Sequence, residues 1–190
     1  MREDVKVPVQ LAVGSKDPDS LLCENIFDGV WKRVSGKTDL QLLYVAEIDD
    51  SEPDFGVVCP QGPSECSGNV HQLCAAKYAP SFPQWWEFIH CSNYHGRNTI
   101  GTRQSAFRCA NSARIDWNAG FGECSDGEEG VQLLKDNVKE GKELGIERSC
   151  SIIINESTVC VRDSTWKECE GGHTANDFVR QINDEFKKIN

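Results

Sequence analysis

Apolar and polar residues alternate over residues 5–13, which predicts a β-strand. A helix is predicted next, because Asp17 can cap its first turn and Pro18 is favoured at the first helical position. Its apolar residues recur at helical spacing until Gly36, namely Leu21, Leu22, Ile26, Phe27, Val30, Trp31 and Val34. Residues 40–48 are a second predicted strand, so the chain opens with a β-α-β unit whose strands are expected to be parallel.

Regular patterns return in the last third of the chain. Mixed charge pairs over residues 128–144 predict a helix. Residues 151–154 and 158–162 predict two strands of a hairpin. Residues 174–188 predict an amphipathic closing helix with Phe178, Val179, Ile182 and Phe186 on one side.

The middle of the chain, about residues 49–124, has a different texture. It is rich in Cys, Gly, Pro and Trp, and helical stretches are predicted at residues 71–78, 83–91 and 102–111. Its aromatic residues Phe82, Trp85, Trp86 and Phe88 predict core packing, with a lid over a neighbouring site as the alternative. The whole order, β-α-β, insertion and α-β-β-α, predicts an α/β thioredoxin-like fold. A disulfide-pinned helical insertion lies within its single domain, residues 1–190.

The composition and net charge limit the classes of molecule that the protein is expected to bind. A hydrophobic content of 38%, with five Trp and eight Phe, is enough to form a buried core. The net charge of −10 disfavours nucleic acid and anionic membrane surfaces as partners. No stretch approaches the roughly 20 apolar residues that a membrane-spanning helix needs.

Ten cysteines in 190 residues are typical of secreted or lumenal proteins with disulfides. Their spacing lacks the close pairs of a zinc site, and the four histidines form no metal motif, so no metal and no cofactor are expected. A sequon at Asn155 predicts glycosylation in the secretory pathway. Residues 1–4 carry charges and no apolar run follows, which predicts a mature domain whose targeting segment has been removed.

Residues 59–74, CPQGPSECSGNVHQLC, carry a specific motif. It resembles the signature of the gamma-interferon-inducible lysosomal thiol reductase family, which runs C-Q-H-G, two free positions, E-C, two free positions, N, four free positions and C. The matching residues are Cys59, Gly62, Glu65, Cys66, Asn69 and Cys74. Pro60 and Gln61 depart from it. Cys91, Cys109 and Cys124 also stand where the family would place them.

The resemblance implies mainly structural roles for these residues. Glu65 and Asn69 are expected to satisfy buried backbone groups. The candidates for structural disulfides are Cys59, Cys66, Cys74, Cys91, Cys109, Cys124, Cys160 and Cys169.

A reductase of this family would carry C-x-x-C at the amino end of the first helix, with one thiolate attacking a substrate disulfide and a second Cys resolving the product. Here Cys23 takes the resolving position and Ser20 stands where the attacking Cys would be. A wider register places the missing Cys at Asp17 instead. The site is therefore an incomplete S-x-x-C pair, arising either by an engineered change or by natural divergence. The coherent capping segment around Pro18 favours divergence.

Cys150 occupies the position where thioredoxin folds usually have a cis-proline, close to the first helix. Two partners are open to it. It can pair with Cys23, or it can bridge to Cys160 across the predicted hairpin. The symmetry of these two positions about the turn slightly favours Cys160.

Two functions follow. The first is a secreted thiol reductase-like protein in which Cys23 alone exchanges with a protein or small-molecule disulfide, or a trapped, inactive reductase. The alternative is a redox-silent relative, in which a pocket between the first helix and the insertion binds a small ligand or performs non-redox chemistry.

Overall fold

A computed structural model describes residues 2–190 of the chain. The strands are β1 (Val7–Val13), β2 (Thr38–Tyr44), β3 (Glu47–Ile48), β4 (Val57–Val58), β5 (Ser151–Ile154), β6 (Ser157–Asp163) and β7 (Thr165–Lys167). The α-helices are α1 (Pro18–Val34), α2 (Pro63–Tyr78), α3 (Phe82–Tyr94), α4 (Arg103–Ser112), α5 (Gly122–Asp126), α6 (Glu128–Glu143) and α7 (Ala175–Ile189). A short π-helix, Trp117–Phe121, joins α4 to α5.

Five strands form the main sheet in the order β2-β1-β5-β6-β7. Strands β1 and β2 are parallel, as the opening β-α-β pattern predicts, and the remaining pairs are antiparallel. The predicted second strand ends early, at Tyr44, and its last residues instead form a separate two-stranded hairpin of β3 and β4. Strand β7 was not expected from the sequence.

Helices α1 and α7 pack against each other and against β1, while α6 packs against β2. Phe27 of α1 and Phe178 of α7 are buried, and their rings are 5.2 Å apart. Thr174 and Asp177 form the capping box that begins α7. The sheet edge at β2 is satisfied from α6, because Asn137 accepts from Tyr44 N and donates to Leu42 O.

The insertion contains α2 to α5, of which α3 packs against α1 and α2 contacts the turn between β1 and α1. Helix α2 begins at Pro63, eight residues before the predicted stretch, directly after the loop at Gly62 (φ 91°). The aromatic cluster of α3 is largely buried, and Trp85, Trp86 and Phe88 join the core as the packing prediction states. No helix within residues 2–190 is long and apolar enough to cross a membrane.

Candidate active site

The turn between β1 and α1 brings Asp17 and Ser20 together. Asp17 is the N-cap of α1, and its carboxylate accepts from Ser20 N at 3.0 Å and from Ser20 Oγ at 2.7 Å. Ser20 Oγ in turn accepts from Gly14 N at 3.0 Å, and the Ser20 side chain is fully buried. A hydrogen-bonded carboxylate and hydroxyl therefore stand at C-x-x-C spacing on the first turn of the helix.

Asp19, in the same turn, is bound from the other side by the β6–β7 hairpin. Its carboxylate accepts from Arg162 Nε at 3.3 Å and from Ser164 N at 3.0 Å. The acidic first turn also matches the positive end of the helix dipole. Each polar side chain of the D-P-D-S segment is thus engaged within the protein.

Cys23 lies one turn further along α1, away from the helix start that the S-x-x-C interpretation assigned to it. It is fully buried and forms a disulfide with Cys150, with the two Cα atoms 6.7 Å apart. Cys150 is also fully buried, and the peptide bond between Ser149 and Cys150 is cis. Of the two alternatives that the sequence leaves open for Cys23, the bridge to Cys150 is confirmed and the free thiol is wrong.

The slight preference for a Cys150–Cys160 bridge is also wrong. Cys160 pairs with Cys169 instead. The reason is the register of the hairpin: Ile154 pairs with Ser157, so the turn is not centred on Asn155, and a bulge between Ile152 and Ile153 shifts the pairing by one more residue, so that Cys160 lies opposite Ile152. Cys150 then exchanges backbone hydrogen bonds with Arg162, two residues beyond Cys160.

The other candidate cysteines pair within the insertion. The bridges are Cys59–Cys66, Cys74–Cys124 and Cys91–Cys109. All ten cysteines lie in the described part of the chain, and none of them is free.

The signature segment holds the turn between β1 and α1 in place. Glu65 accepts from Lys16 N at 3.1 Å and from Gln61 N at 3.0 Å, while Asn69 accepts from Ser15 N at 3.0 Å. Burial raises the pKa of Glu65, against the lowering effect of these two amides. Asn69 satisfies a buried backbone amide, as predicted, whereas the amides that Glu65 binds belong to a half-buried residue, Lys16, and an exposed one, Gln61. Both side chains act on the loop that leads into the helix.

The fit between α2 and this turn is close. A Cβ atom added at Gly68 would lie 2.5 Å from Ser15 Oγ. Ser15 Oγ itself donates to the backbone oxygen of Glu65 at 3.0 Å. A side chain at this position would collide with the Ser15 hydroxyl, which is held against the backbone of α2, so the close approach favours glycine.

A groove of about 340 Å³ lies between α1 and α3, where the sequence predicted a pocket between the first helix and the insertion. Glu24 lines it, although its side chain is almost fully buried, and Asn93 Nδ2 donates to Glu24 Oε1 at 3.4 Å. Among residues 2–190, Glu24 Oε2 and Asn93 Oδ1 find no hydrogen-bond partner. Burial, above all, raises the pKa of Glu24 to about 8.

Sequence reasoning missed Glu24. The signal was present, because Glu24 lies one turn before Phe27 on the buried side of α1, at a position where an apolar residue is expected. A charged residue within an apolar stripe marks either a paired group or a functional one.

Asn155 lies in the turn between β5 and β6 with φ 48°, a conformation that asparagine tolerates better than most residues. Its side-chain amide donates to Glu185 Oε2 at 2.9 Å.

Several solved structures share this fold at low sequence identity. The oxidised form of BdbD from Bacillus subtilis is 14% identical, with 98% of this chain and 90% of that chain covered and a TM-score of 0.65. MdbA, a thiol-disulfide oxidoreductase from Corynebacterium diphtheriae, is 13% identical, with 93% and 83% covered and a TM-score of 0.64. The thiol-disulfide exchange protein alpha-DsbA2 from Wolbachia pipientis is 12% identical, with 97% and 84% covered and a TM-score of 0.63. These likenesses confirm the thioredoxin-like fold.

No curated protein gives a significant sequence match to the chain. A family model does match, over residues 8–113, which is more than half of the chain and includes both the helix start and the signature segment. The chain therefore belongs to the gamma interferon inducible lysosomal thiol reductase (GILT) family.

Proposed function

We propose that this chain is a redox-silent member of the thiol reductase family, a secreted protein that binds a ligand on the family scaffold without reducing disulfides. The observation that carries the proposal is the first turn of α1, where Asp17 and Ser20 bond to each other at the spacing of a C-x-x-C pair. Family membership supports thiol-disulfide chemistry for the scaffold in general. The residues of this chain argue against it here.

The chemistry of a reductase needs two sulfurs at this point. An exposed thiolate attacks the substrate disulfide, and a second thiol releases the mixed disulfide. Asp17 is half-buried and Ser20 is buried. Solvent therefore reaches the Asp17 carboxylate but not the Ser20 hydroxyl. Neither oxygen can form or break a bond to sulfur in this way at neutral pH.

The one cysteine in the helix offers no substitute. Cys23 and Cys150 are both fully buried, so a substrate cannot reach either sulfur. The bridge joins α1 to the residue that precedes β5, two elements far apart in the sequence. Its role in this proposal is to fasten the helix to the sheet.

Non-redox catalysis at the same place is also disfavoured. Ser20 Oγ donates to Asp17 and accepts from Gly14 N, so its hydrogen-bonding capacity is used inside the protein. A hydroxyl that is buried and engaged on both sides is not available as a nucleophile. Binding is the function that remains, and the groove between α1 and α3 beside Glu24 is the surface nearest to the former thiol site.

The five disulfides and the family together indicate a protein outside the cytosol. The proposal adds secretion or a lumenal location with a glycan at Asn155. A glycosylated asparagine keeps one amide hydrogen, so the contact with Glu185 is compatible with the glycan. Its partners are then small ligands, with nucleic acid and membranes disfavoured by the charge of −10.

The test is to restore the sulfurs. The variant Asp17→Cys/Ser20→Cys places thiols at an accessible and a buried position of the helix start. We expect it to reduce insulin disulfides catalytically in the presence of dithiothreitol, whereas the unaltered chain does not exceed dithiothreitol alone. Ser20→Cys by itself is the matched control and stays silent, because one sulfur cannot complete the cycle. Turnover by the unaltered chain would overturn the proposal.

A further inference from the structure

A second cavity, of about 410 Å³, lies on the other side of the insertion between the edge strand β2 and helices α2 and α3. Its volume falls within the range of small-molecule sites, about 300–1,000 Å³. The walls are largely apolar and include Leu40, Leu42, Leu73, Ala76 and Phe82. None of its lining residues belongs to the start of α1, so the cavity is separate from the former thiol site.

Two hydrogen-bond donors on this wall have no partner. Gln72 is 1% exposed and Trp85 is 7% exposed, and both residues belong to the lining of the cavity. Among the residues that the structure describes, neither Gln72 Nε2 nor Trp85 Nε1 finds an acceptor. Buried donors without partners are rare and costly, which makes two in one cavity a sign of a missing acceptor.

Two neighbouring polar residues, Tyr44 and Asn137, are already engaged in other hydrogen bonds. Tyr44 Oη donates to Gln72 Oε1 at 2.7 Å, so the oxygen of this amide is used and its nitrogen is left over. Burial raises the pKa of Tyr44 well above its usual value, which keeps the hydroxyl protonated as a donor. Asn137 is also occupied, with its oxygen on Tyr44 N and its nitrogen on Leu42 O.

The chemistry of the wall defines the occupant. Two donors require an oxygen or nitrogen that accepts, and the apolar surroundings require an apolar body. No charged side chain is found among the described residues that line the cavity. An ionised carboxylate would lose its hydration there without gaining a cation, so a neutral acceptor is favoured.

We propose that this cavity binds a small, uncharged, apolar molecule through a carbonyl oxygen that accepts hydrogen bonds from Gln72 and Trp85. This inference goes beyond the proposed loss of redox activity. The two proposals are independent, because the cavity shares no residue with the β1–α1 turn in which Asp17 and Ser20 replace the thiols.

The experiment uses the full chain with its disulfides intact and prodan as the probe, an apolar naphthalene fluorophore with a ketone. We expect saturable binding with a blue-shifted emission. The analogue 2-dimethylamino-6-propylnaphthalene, in which a methylene replaces the carbonyl, is expected to bind about tenfold more weakly. Absence of saturable binding, or equal binding of both compounds, would overturn the inference.

Two variants assign the contact. Trp85→Phe keeps the aromatic packing and removes the indole donor, and we expect prodan affinity to fall about five- to tenfold. Gln72→Leu removes the other donor and is expected to act similarly. Trp166→Phe, a tryptophan outside the cavity, is the matched control and leaves the affinity unchanged. Melting curves for each variant establish that the fold is retained, and unaltered affinity in both cavity variants would contradict the assignment. The insulin assay on the unaltered chain is independent of these results, so failure of ligand binding and failure of redox silence remain distinguishable.

Discussion

The start of α1 and the start of α2 lie in contact, yet they differ in how far they keep the family pattern. The α2 segment keeps six signature residues, and Glu65 and Asn69 bind the backbone of the β1–α1 turn. The α1 segment has oxygens where a reductase carries sulfurs, and Asp17 bonds to Ser20. On the proposed function, the residues that position the helix start are retained, while those that would perform the chemistry are absent.

This contrast teaches that the signature is a structural device. Glu65 and Asn69 bind backbone amides of the β1–α1 turn, and they do so whether or not a thiol follows them. The presence of Glu65 and Asn69 therefore indicates the conformation of the loop and is no evidence of catalytic activity. The activity of such a chain has to be judged from the helix start.

The largest effect is expected from the bridge that fastens α1. The variant Cys23→Ala/Cys150→Ala opens a loop with a sequence separation of 127, and chain entropy predicts a loss of about 5 kcal/mol in the free energy of unfolding. Cys160→Ala/Cys169→Ala opens a separation of only 9 and should cost about 2–3 kcal/mol. Guanidinium denaturation measures both losses. Equal losses would mean that the Cys23 bridge does not constrain the chain as described.

The next effect tests the signature side. Glu65→Ala leaves Lys16 N and Gln61 N without their acceptor, and we expect a loss of about 2–4 kcal/mol. Urea denaturation is the measurement. Glu123→Ala, at an exposed position of α5, is the control and should stay within about 0.5 kcal/mol of the unaltered chain. A neutral Glu65→Ala variant would remove the structural meaning given to the signature.

A pH dependence is expected from two buried groups. The pKa of Glu24 is raised to about 8, chiefly by burial, so the native state binds the extra proton between about pH 4.5 and pH 8 and loses stability as the pH rises through that window. The pKa of His71 is lowered to about 4, chiefly by burial and against the attraction of Asp126, so stability rises with pH between about 4 and 6.5.

Below pH 6.5 the effects of Glu24 and His71 on the free energy of unfolding oppose each other. Above pH 6.5, of these two groups only Glu24 contributes. We expect the free energy of unfolding to fall by about 1–2 kcal/mol between pH 6.5 and pH 8. Denaturation at a series of pH values measures the slope. Glu24→Gln, which has no titrating proton, should flatten it. An unchanged slope in this variant would show that another group is responsible.

The smallest effect concerns the helix start itself. Asp17→Ala removes an N-cap and should cost about 1 kcal/mol, whereas Asp17→Asn, which can still cap, should cost less. Thermal melting compares both with Thr174→Ala, which removes the N-cap of α7. If Asp17→Ala is neutral, the carboxylate does not stabilise α1 in the way proposed for it.

Much of the fold could be predicted because local signals were strong. The alternation along β1, the cap and proline of α1 and the amphipathic pattern of α7 each follow from short-range rules. Helix α2 was predicted too short, because the Gly and Pro residues before it suggested a loop, although Pro63 is suited to the first turn. Strand β7 is three residues long and too short for a periodic signal.

The sequence offered the correct partner of Cys150, namely Cys23, but could not decide between it and Cys160. Symmetry about Asn155 favours Cys160, but the turn is centred between Asn155 and Glu156 and a one-residue bulge shifts the register further, and no local pattern marks either feature. The cavity donors Gln72 and Trp85 were equally hidden, because each becomes notable only when its lack of a partner is seen in three dimensions.

Reduction of insulin by the purified, unaltered chain is the most direct test of the central claim. With dithiothreitol as the electron source, the account predicts a rate equal to that of dithiothreitol alone, since Asp17 and Ser20 supply no thiol and Cys23 is buried in its bridge. Catalytic acceleration that scales with the amount of protein would contradict it.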